Sequence, residues 1–335
     1  MVDSVECKPS WDTKLEAEKS LVSLPELWAK KYVEQLYQQQ QSLDLGGEIQ
    51  PRSAIAQQLV DRLRSVSAQS WNKTEALLAN EMRRHQIESR LIDPWAIAKD
   101  VHFVYEKVLQ VYANRATPQS LSVLISSDLG RIRHKYTRQD PRLIGFVSMQ
   151  FHYCGQLLMS QLEASEQSVI EEYFKVIDDH LYMPLQRAYQ AAAQCEFNDP
   201  RLKTVQRLLP VSSQIACEIV ATVNQLYPSY ACYSGPLNSK VVRASSIRDV
   251  EMFQIYLWIC VLEKNISAIT QELFPLCVML YPTLKVNWEL VRQMISLLGK
   301  AFEQHIHPQQ SQYYQPYYQV LWKMFSPEVF PDTIA

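Results

Sequence analysis

Apolar residues recur every three or four positions along most of the chain, which is the spacing of one face of an α-helix. The longest such stripe consists of Ile97, Val101, Val104, Val108 and Val111. Asp93-Pro94, Asp140-Pro141 and Asp199-Pro200 each stand directly before an apolar run. Asp accepts hydrogen bonds from the free amides of a first turn, and the fixed φ of proline suits the first helical position. The pattern predicts an all-α fold, a multi-helix bundle or irregular helical array of about ten to twelve helices.

Local signals place boundaries within this array. We expect a new helix to begin near Ser70, and another at Ser246, because Asp249 three residues later resembles the partner of a capping box. The last predicted helix runs from about residue 286 to 305. Residues 313–325 beyond it are rich in aromatic side chains, and we expect this tail to dock because burial of each ring is favourable.

One short motif occurs twice, as Asp-Pro-Arg-Leu at residues 140–143 and at residues 199–202. Helical repeat proteins require a fixed period, and the intervals between related segments of this chain differ. We therefore interpret the echo as shared capping chemistry. An α-solenoid remains the alternative fold.

Glycine and proline suggest the division of the chain. Gly46-Gly47 forms an early hinge, and Gly235-Pro236 is the strongest turn signal. We predict an N-terminal arm and first helix at 1–47, a main helical domain at 48–235, and a C-terminal helical subdomain with the docked aromatic tail at 236–335.

Composition indicates a folded protein without a membrane span. Apolar residues make up 47% of the 335 residues and charged residues 20%. The uncharged stretch 143–162 contains four polar side chains, those of Gln150, His152, Gln156 and Gln161. Lipid cannot form hydrogen bonds with these side chains, so we expect a helix buried in a bundle of other helices. No signal peptide is evident, and seven cysteines without a C-x-x-C pair suggest reduced thiols. These observations favour a cytoplasmic location.

Known catalytic signatures are absent. With seven glycines the sequence has no G-x-S-x-G, phosphate loop or G-x-G-x-x-G. The acidic run 171–180 ends in His180, but no histidine follows an acid at the spacing of a di-iron bundle, so we predict a solvated acidic face and no metal site. The sequence favours a protein that is not an enzyme and assigns no cofactor.

Two groups of residues are candidate binding sites. The first is His152, Tyr153 and Cys154, which could face a planar ligand from the buried helix, although a lone histidine there is more often a hydrogen-bonded core residue. The second is the basic set Arg131, Arg133, Lys135, Arg138 and Arg142, which suits an acidic partner. A solvated helix end is the simpler reading of the basic set.

The functional prediction that follows is a non-enzymatic cytosolic adaptor, regulator or assembly factor that binds another protein, with an acidic protein as the candidate partner. Two alternatives remain open. One is a sensor or carrier that binds a small molecule, pigment or cofactor in an apolar pocket near residues 152–154. The other is a nucleic-acid-binding regulator that uses the basic set, although the net charge of −2 gives no general attraction to nucleic acid.

Overall fold

The structure is a computed structural model that describes residues 23–40 and 51–331, and the side chains of 33–40 are not described. Its α-helices are α1 Leu24–Gln40, α2 Arg52–Arg84, α3 Pro94–Ala113, α4 Pro118–Thr137, α5 Leu143–Met159, α6 Ala164–Tyr182, α7 Leu185–Ala193, α8 Pro200–Leu208, α9 Ser212–Leu226, α10 Lys240–Glu263, α11 Phe274–Thr283, α12 Trp288–His305 and α13 Pro308–Met324. A two-residue antiparallel ladder joins β1 Ala231–Cys232 to β2 Gly235–Pro236. The all-α prediction is confirmed. The predicted hinge at 46–47, the arm before Ser23 and Cys7 lie outside the described residues.

Several predicted boundaries were wrong. Ser70 lies inside α2, because its hydroxyl bonds the Val66 carbonyl and the helix continues unbroken. Ser246 lies inside α10, which begins six residues earlier, where the Ser239 hydroxyl accepts the Val242 amide. The boundary at Ser246 was wrong because a serine with an acidic residue three positions later also occurs within helices.

The repeated Asp-Pro-Arg motif makes the same aspartate hydrogen bond at both places. Asp140 accepts the backbone amide of Arg142, and Asp199 accepts that of Arg201, each at 2.9 Å. Each arginine also folds back onto its own aspartate and reaches a backbone carbonyl at the end of another helix, on His85 for Arg142 and on Leu262 for Arg201. The repeated motif therefore caps a helix or turn and ties it to the end of another helix.

Helix α1 is attached to the bundle through buried charges. Lys31 Nζ lies 2.7 Å from Glu251 Oε1 of α10, and both side chains are buried. Tyr32 donates from its hydroxyl to Asp179 of α6 at 2.9 Å, and Lys175 contacts the same carboxylate at 2.6 Å. Burial lowers the pKa of Lys31, against the effect of Glu251. These pairs fix the position of α1, because moving the helix away would leave buried charges without partners and so destabilise the fold.

The acidic run 171–180 is not the solvated face that the sequence predicted. Glu172 and Asp179 are buried in α6, and Asp178 is largely buried between His152 and Arg248. The acids were misplaced because partners such as His152 and Arg248 come from distant parts of the chain. Within the described ranges, no cluster of His, Cys, Asp or Glu has the arrangement of a metal site.

Helix α5 packs within the bundle, as expected. Gln150 is buried, and its amide donates to the Ser67 carbonyl of α2 at 2.9 Å, so protein rather than lipid surrounds it. Among residues 23–40 and 51–331, no helix combines the length and apolar character that crossing a bilayer requires.

The aromatic tail docks, and it does so mostly as a helix. Tyr314, Leu321 and Phe325 are buried, and Tyr314 meets Phe302 of α12 edge to face at 5.3 Å between ring centroids. Phe330 stacks on Trp288 at 4.1 Å. The predicted helix ending at residue 305 agrees with α12, and α13 follows it after a two-residue connection.

Candidate ligand-binding cavity

An open cavity of about 860 Å³ lies between the second half of α4 and the corner where α6 turns into α7. We call it the basic cavity. Its walls come from residues 126–139 and 180–190, and Glu272 adds a carboxylate from the π-helical segment Ala268–Leu273. The volume lies within the usual range for small-molecule sites.

A glycine allows α4 and α7 to meet beside the cavity. A Cβ at Gly130 would lie 2.5 Å from the Cβ of Gln186, closer than real side chains approach. One turn earlier, the Ser126 hydroxyl donates to the Gln186 side-chain oxygen at 2.7 Å. The close approach and this hydrogen bond fix the relative position of the two walls.

The inner part of the cavity is built around Arg133. This side chain is buried, and its guanidinium donates to the Leu181 and Tyr182 carbonyls at the end of α6 and to the Tyr256 hydroxyl. A cation at a helix C-terminus is favourable because carbonyls there lack helical partners. Arg133 lies 3.6 Å from Glu272 and holds the corner between α6 and α7 together.

Arg187 extends this ionic network. It contacts Glu272 and also pairs with Glu263 at 2.7 Å, and these hydrogen bonds raise the pKa of the arginine. The charges at the inner wall therefore largely neutralise one another. A ligand that enters the cavity meets its free positive charge elsewhere.

That charge lies at the outer rim, which consists of Arg131, Lys135 and Arg138. Arg131 is paired with Asp128 and Lys135 with Asp100, but both cations are substantially exposed. Arg138 is exposed, and its guanidinium has no partner among the described residues. Of the five cationic side chains in the lining, four have a carboxylate partner, and Arg138 is the one that has none among the described residues. The rim favours an anionic ligand.

His180 adds a neutral acceptor to this lining. Its ring is buried, and Nδ1 lies 2.8 Å from the Val176 carbonyl. Since a carbonyl only accepts, Nδ1 carries the proton and Nε2 has the free lone pair. Burial lowers the pKa of His180 to about 4, so the ring is neutral at pH 7. No described residue bonds Nε2.

Four members of the predicted basic set, all except Arg142, line this one cavity. Arg142 stands apart, bound to Asp140 and to the His85 carbonyl. The sequence showed the charges but not that Arg133 would be buried, since its carbonyl partners lie about fifty residues away along the chain. His180 and Arg187 were not recognised as members of this site, because nothing in the local pattern links them to α4.

The other predicted group lies on α5, outside the lining of the basic cavity. His152 Nδ1 is 2.8 Å from Asp178, and Nε2 is 2.9 Å from the Gln156 amide, so both ring nitrogens have partners. Tyr153 is partly buried, and burial raises its pKa. Cys154 is fully buried, and burial raises the pKa of its thiol to about 12. Ligand binding by these three residues stays a prediction.

Comparison with known proteins gives one match, to a protein family. Residues 172–324 match the family model described as Phycobilisome protein. The match covers a little under half of the chain, from within α6 to the last residue of α13, and thus includes His180, Arg187 and Glu272 but not α4. The domain of that family is a globin-like, all-helical fold. No curated protein matches the chain, and no solved structure does either.

This match corrects the main functional prediction. The hypothesis of a non-enzymatic adaptor or regulator was wrong, and the finding favours the alternative of a pigment-binding protein. Binding to another protein agrees with the match at a coarser level, because phycobilisome proteins assemble with other proteins into oligomers. The sequence reasoning failed because the absence of catalytic motifs says nothing about which ligand a helical fold binds.

Proposed function

We propose that this chain binds a bilin, an open-chain tetrapyrrole pigment, in the manner of a light-harvesting protein. The observation that carries the proposal is the match of residues 172–324 to phycobilisome proteins. A bound bilin would supply absorption of visible light. The chain would supply the binding site, the orientation of the pigment and its shielding from water.

The basic cavity fits the chemistry of such a pigment. A bilin carries two propionate carboxylates and several pyrrole N–H groups. Arg131 and Arg138 on the rim can pair with carboxylates, and His180 Nε2 and the Glu272 carboxylate can accept N–H groups. The volume of about 860 Å³ is also appropriate for a ligand of this size.

A binding experiment tests the proposal. The purified chain is incubated in the dark with biliverdin and passed through a size-exclusion column while absorbance is followed at 280 nm and across the visible range. We expect a visible band that co-elutes with the folded protein and saturates as biliverdin is increased. The same chain unfolded in urea is the control. Pigment that elutes apart from the folded chain at every concentration, together with pigment-free protein from cells that make bilins, would contradict the proposal.

The family match also bears on partners and location. We propose that the chain joins an assembly of other proteins at the surface of the thylakoid membrane, where phycobilisome proteins are found, rather than acting free in the cytoplasm. The predicted acidic partner for the basic set belongs to this proposal. Its contact would involve Lys135, since Arg131 and Arg138 are assigned to the carboxylates of the pigment and Arg133 is buried. Weaker assembly at higher salt would support an acidic partner.

A further inference from the structure

The cysteines of the described ranges are poorly suited to covalent capture of a ligand. Cys154, Cys260 and Cys277 are buried, and burial raises the pKa of each thiol. The partly buried thiols of Cys195, Cys217 and Cys232 also have raised pKa values, with burial as the main cause. Thiolate is the reactive form of cysteine, so a raised pKa makes all six less reactive. None of the six lines the basic cavity.

The cavity contains, in contrast, a buried group that lacks its hydrogen bond. His180 is 2% exposed, its Nδ1 is occupied by Val176, and its Nε2 has no partner among the described residues. Buried polar atoms are nearly always hydrogen-bonded in folded proteins, to protein, water or ligand. Within the lining of the cavity, Nε2 is the buried acceptor that a donor from a bound molecule can complete.

The rim provides the complementary charge. Arg138 has no side-chain partner among the described residues, and the carboxylate beside Arg131 is shared with Lys107. Arginine pairs with carboxylates through two parallel hydrogen bonds, which are stronger than neutral ones. A ligand with carboxylates on one edge and N–H groups on the opposite edge would satisfy both the rim and His180.

On these grounds we propose that the basic cavity holds the bilin without a covalent bond, by its carboxylates at Arg131 and Arg138 and by an N–H group that donates to His180 Nε2. This inference rests on the proposed function and specifies how the pigment is retained. None of the six cysteines in the described ranges takes part, and the pigment leaves when the fold is lost.

Denaturation of the pigmented protein tests the absence of a covalent bond. The full chain is produced in cells that make biliverdin and is purified under native conditions. One half is then denatured and analysed by intact mass and by zinc-induced bilin fluorescence on a denaturing gel. We expect the native protein to be coloured, the denatured chain to have its sequence mass, and no zinc fluorescence at its position. A mass increase equal to one bilin, at Cys7 or any other cysteine, would overturn this inference while leaving the proposed function intact.

Variants locate the site. We expect Arg131→Glu/Arg138→Glu to raise the dissociation constant for biliverdin by about tenfold or more, because two charge-assisted contacts are lost. The matched control is Arg62→Glu/Arg64→Glu, which changes the net charge equally at exposed positions of α2, outside the cavity. Equal binding by the two double variants would contradict the assignment of the site.

A third variant tests the acceptor. His180→Asn keeps an N–H near the Val176 carbonyl and removes Nε2, so we expect weaker binding and a shifted visible band. Circular dichroism verifies that the variant is folded, and if it is not, the Arg131 and Arg138 variant decides. Unchanged affinity and spectrum in folded His180→Asn would remove His180 from the site. A chain that never binds biliverdin, in any variant or condition, would instead contradict the proposed function itself.

Discussion

The buried, neutral state of His180 has a measurable consequence for stability. Burial lowers the pKa of its imidazole from the ordinary 6.5 to about 4. Between these values the unfolded chain binds a proton that the folded chain excludes. Stability therefore falls as the pH decreases from 6.5 towards 4. A difference of two to three pKa units corresponds to about 3 kcal/mol when the whole window is crossed.

Asp249 acts in the opposite direction over nearly the same window. Burial raises the pKa of this carboxyl from 3.8 to about 6, and Arg248 opposes the shift without abolishing it. The folded chain therefore binds a proton before the unfolded chain does, and stability rises as the pH decreases from 6 to 3.8. The gain is also about 2 to 3 kcal/mol. The two effects nearly offset, so the combined contribution of these two groups to the free energy of unfolding changes little between pH 7 and pH 4.5.

Two substitutions separate these contributions. His180→Asn removes the loss in acid, and Asp249→Asn removes the gain. Urea unfolding followed by circular dichroism at pH 7 and at pH 4.5 gives the change in free energy for each protein. On acidification we expect His180→Asn to gain about 2 kcal/mol and Asp249→Asn to lose about 2 kcal/mol relative to the wild-type change. Because each protein is compared with itself, any cost that does not depend on pH cancels.

One result for His180→Asn would contradict this reasoning. If its free energy of unfolding changes with pH as that of the wild type does, His180 is protonated equally in the folded and unfolded chains. Nε2 would then carry a proton over part of the range and would not be a permanent acceptor. The assignment of His180 to the bilin site would lose its physical basis even if the cavity binds pigment.

Two further substitutions test the packing. Lys31→Met should lower the free energy of unfolding by about 3 kcal/mol, measured in urea, because it leaves Glu251 buried without its cation. Adding Glu251→Gln should recover part of this loss. If the losses of the two single variants simply add in the double variant, the pairing is contradicted. Gly299→Ala should cost about 2 kcal/mol, since a Cβ there would overlap both the hydroxyl and the ring of Tyr318 from α13. In a Tyr318→Ala background, where that ring is absent, the same Gly299→Ala change should cost much less; unchanged stability of the single variant Gly299→Ala would show that α13 is not packed this closely.

The sequence alone determined the helical architecture. The apolar spacing of three and four follows directly from the period of the helix, and the Asp-Pro pairs at residues 93 and 199 are true N-caps because their chemistry is local. At residue 140 the same pair caps a turn just before α5. Docking of the aromatic tail was also predictable, because exposed rings in such number would be unfavourable.

Only the tertiary structure decided which of the charges were functional candidates. Arg131 near the end of α4 and Arg138 just beyond it are exposed at a rim, whereas Arg133 between them is buried against carbonyls of α6. His180 belongs to the cavity because α6 ends beside α4, and its low pKa follows from that burial. Helical periodicity states which residues share a face, but it does not state what that face meets. Cavities, ion pairs and burial arise between segments distant in sequence, and so they depend on how the helices pack.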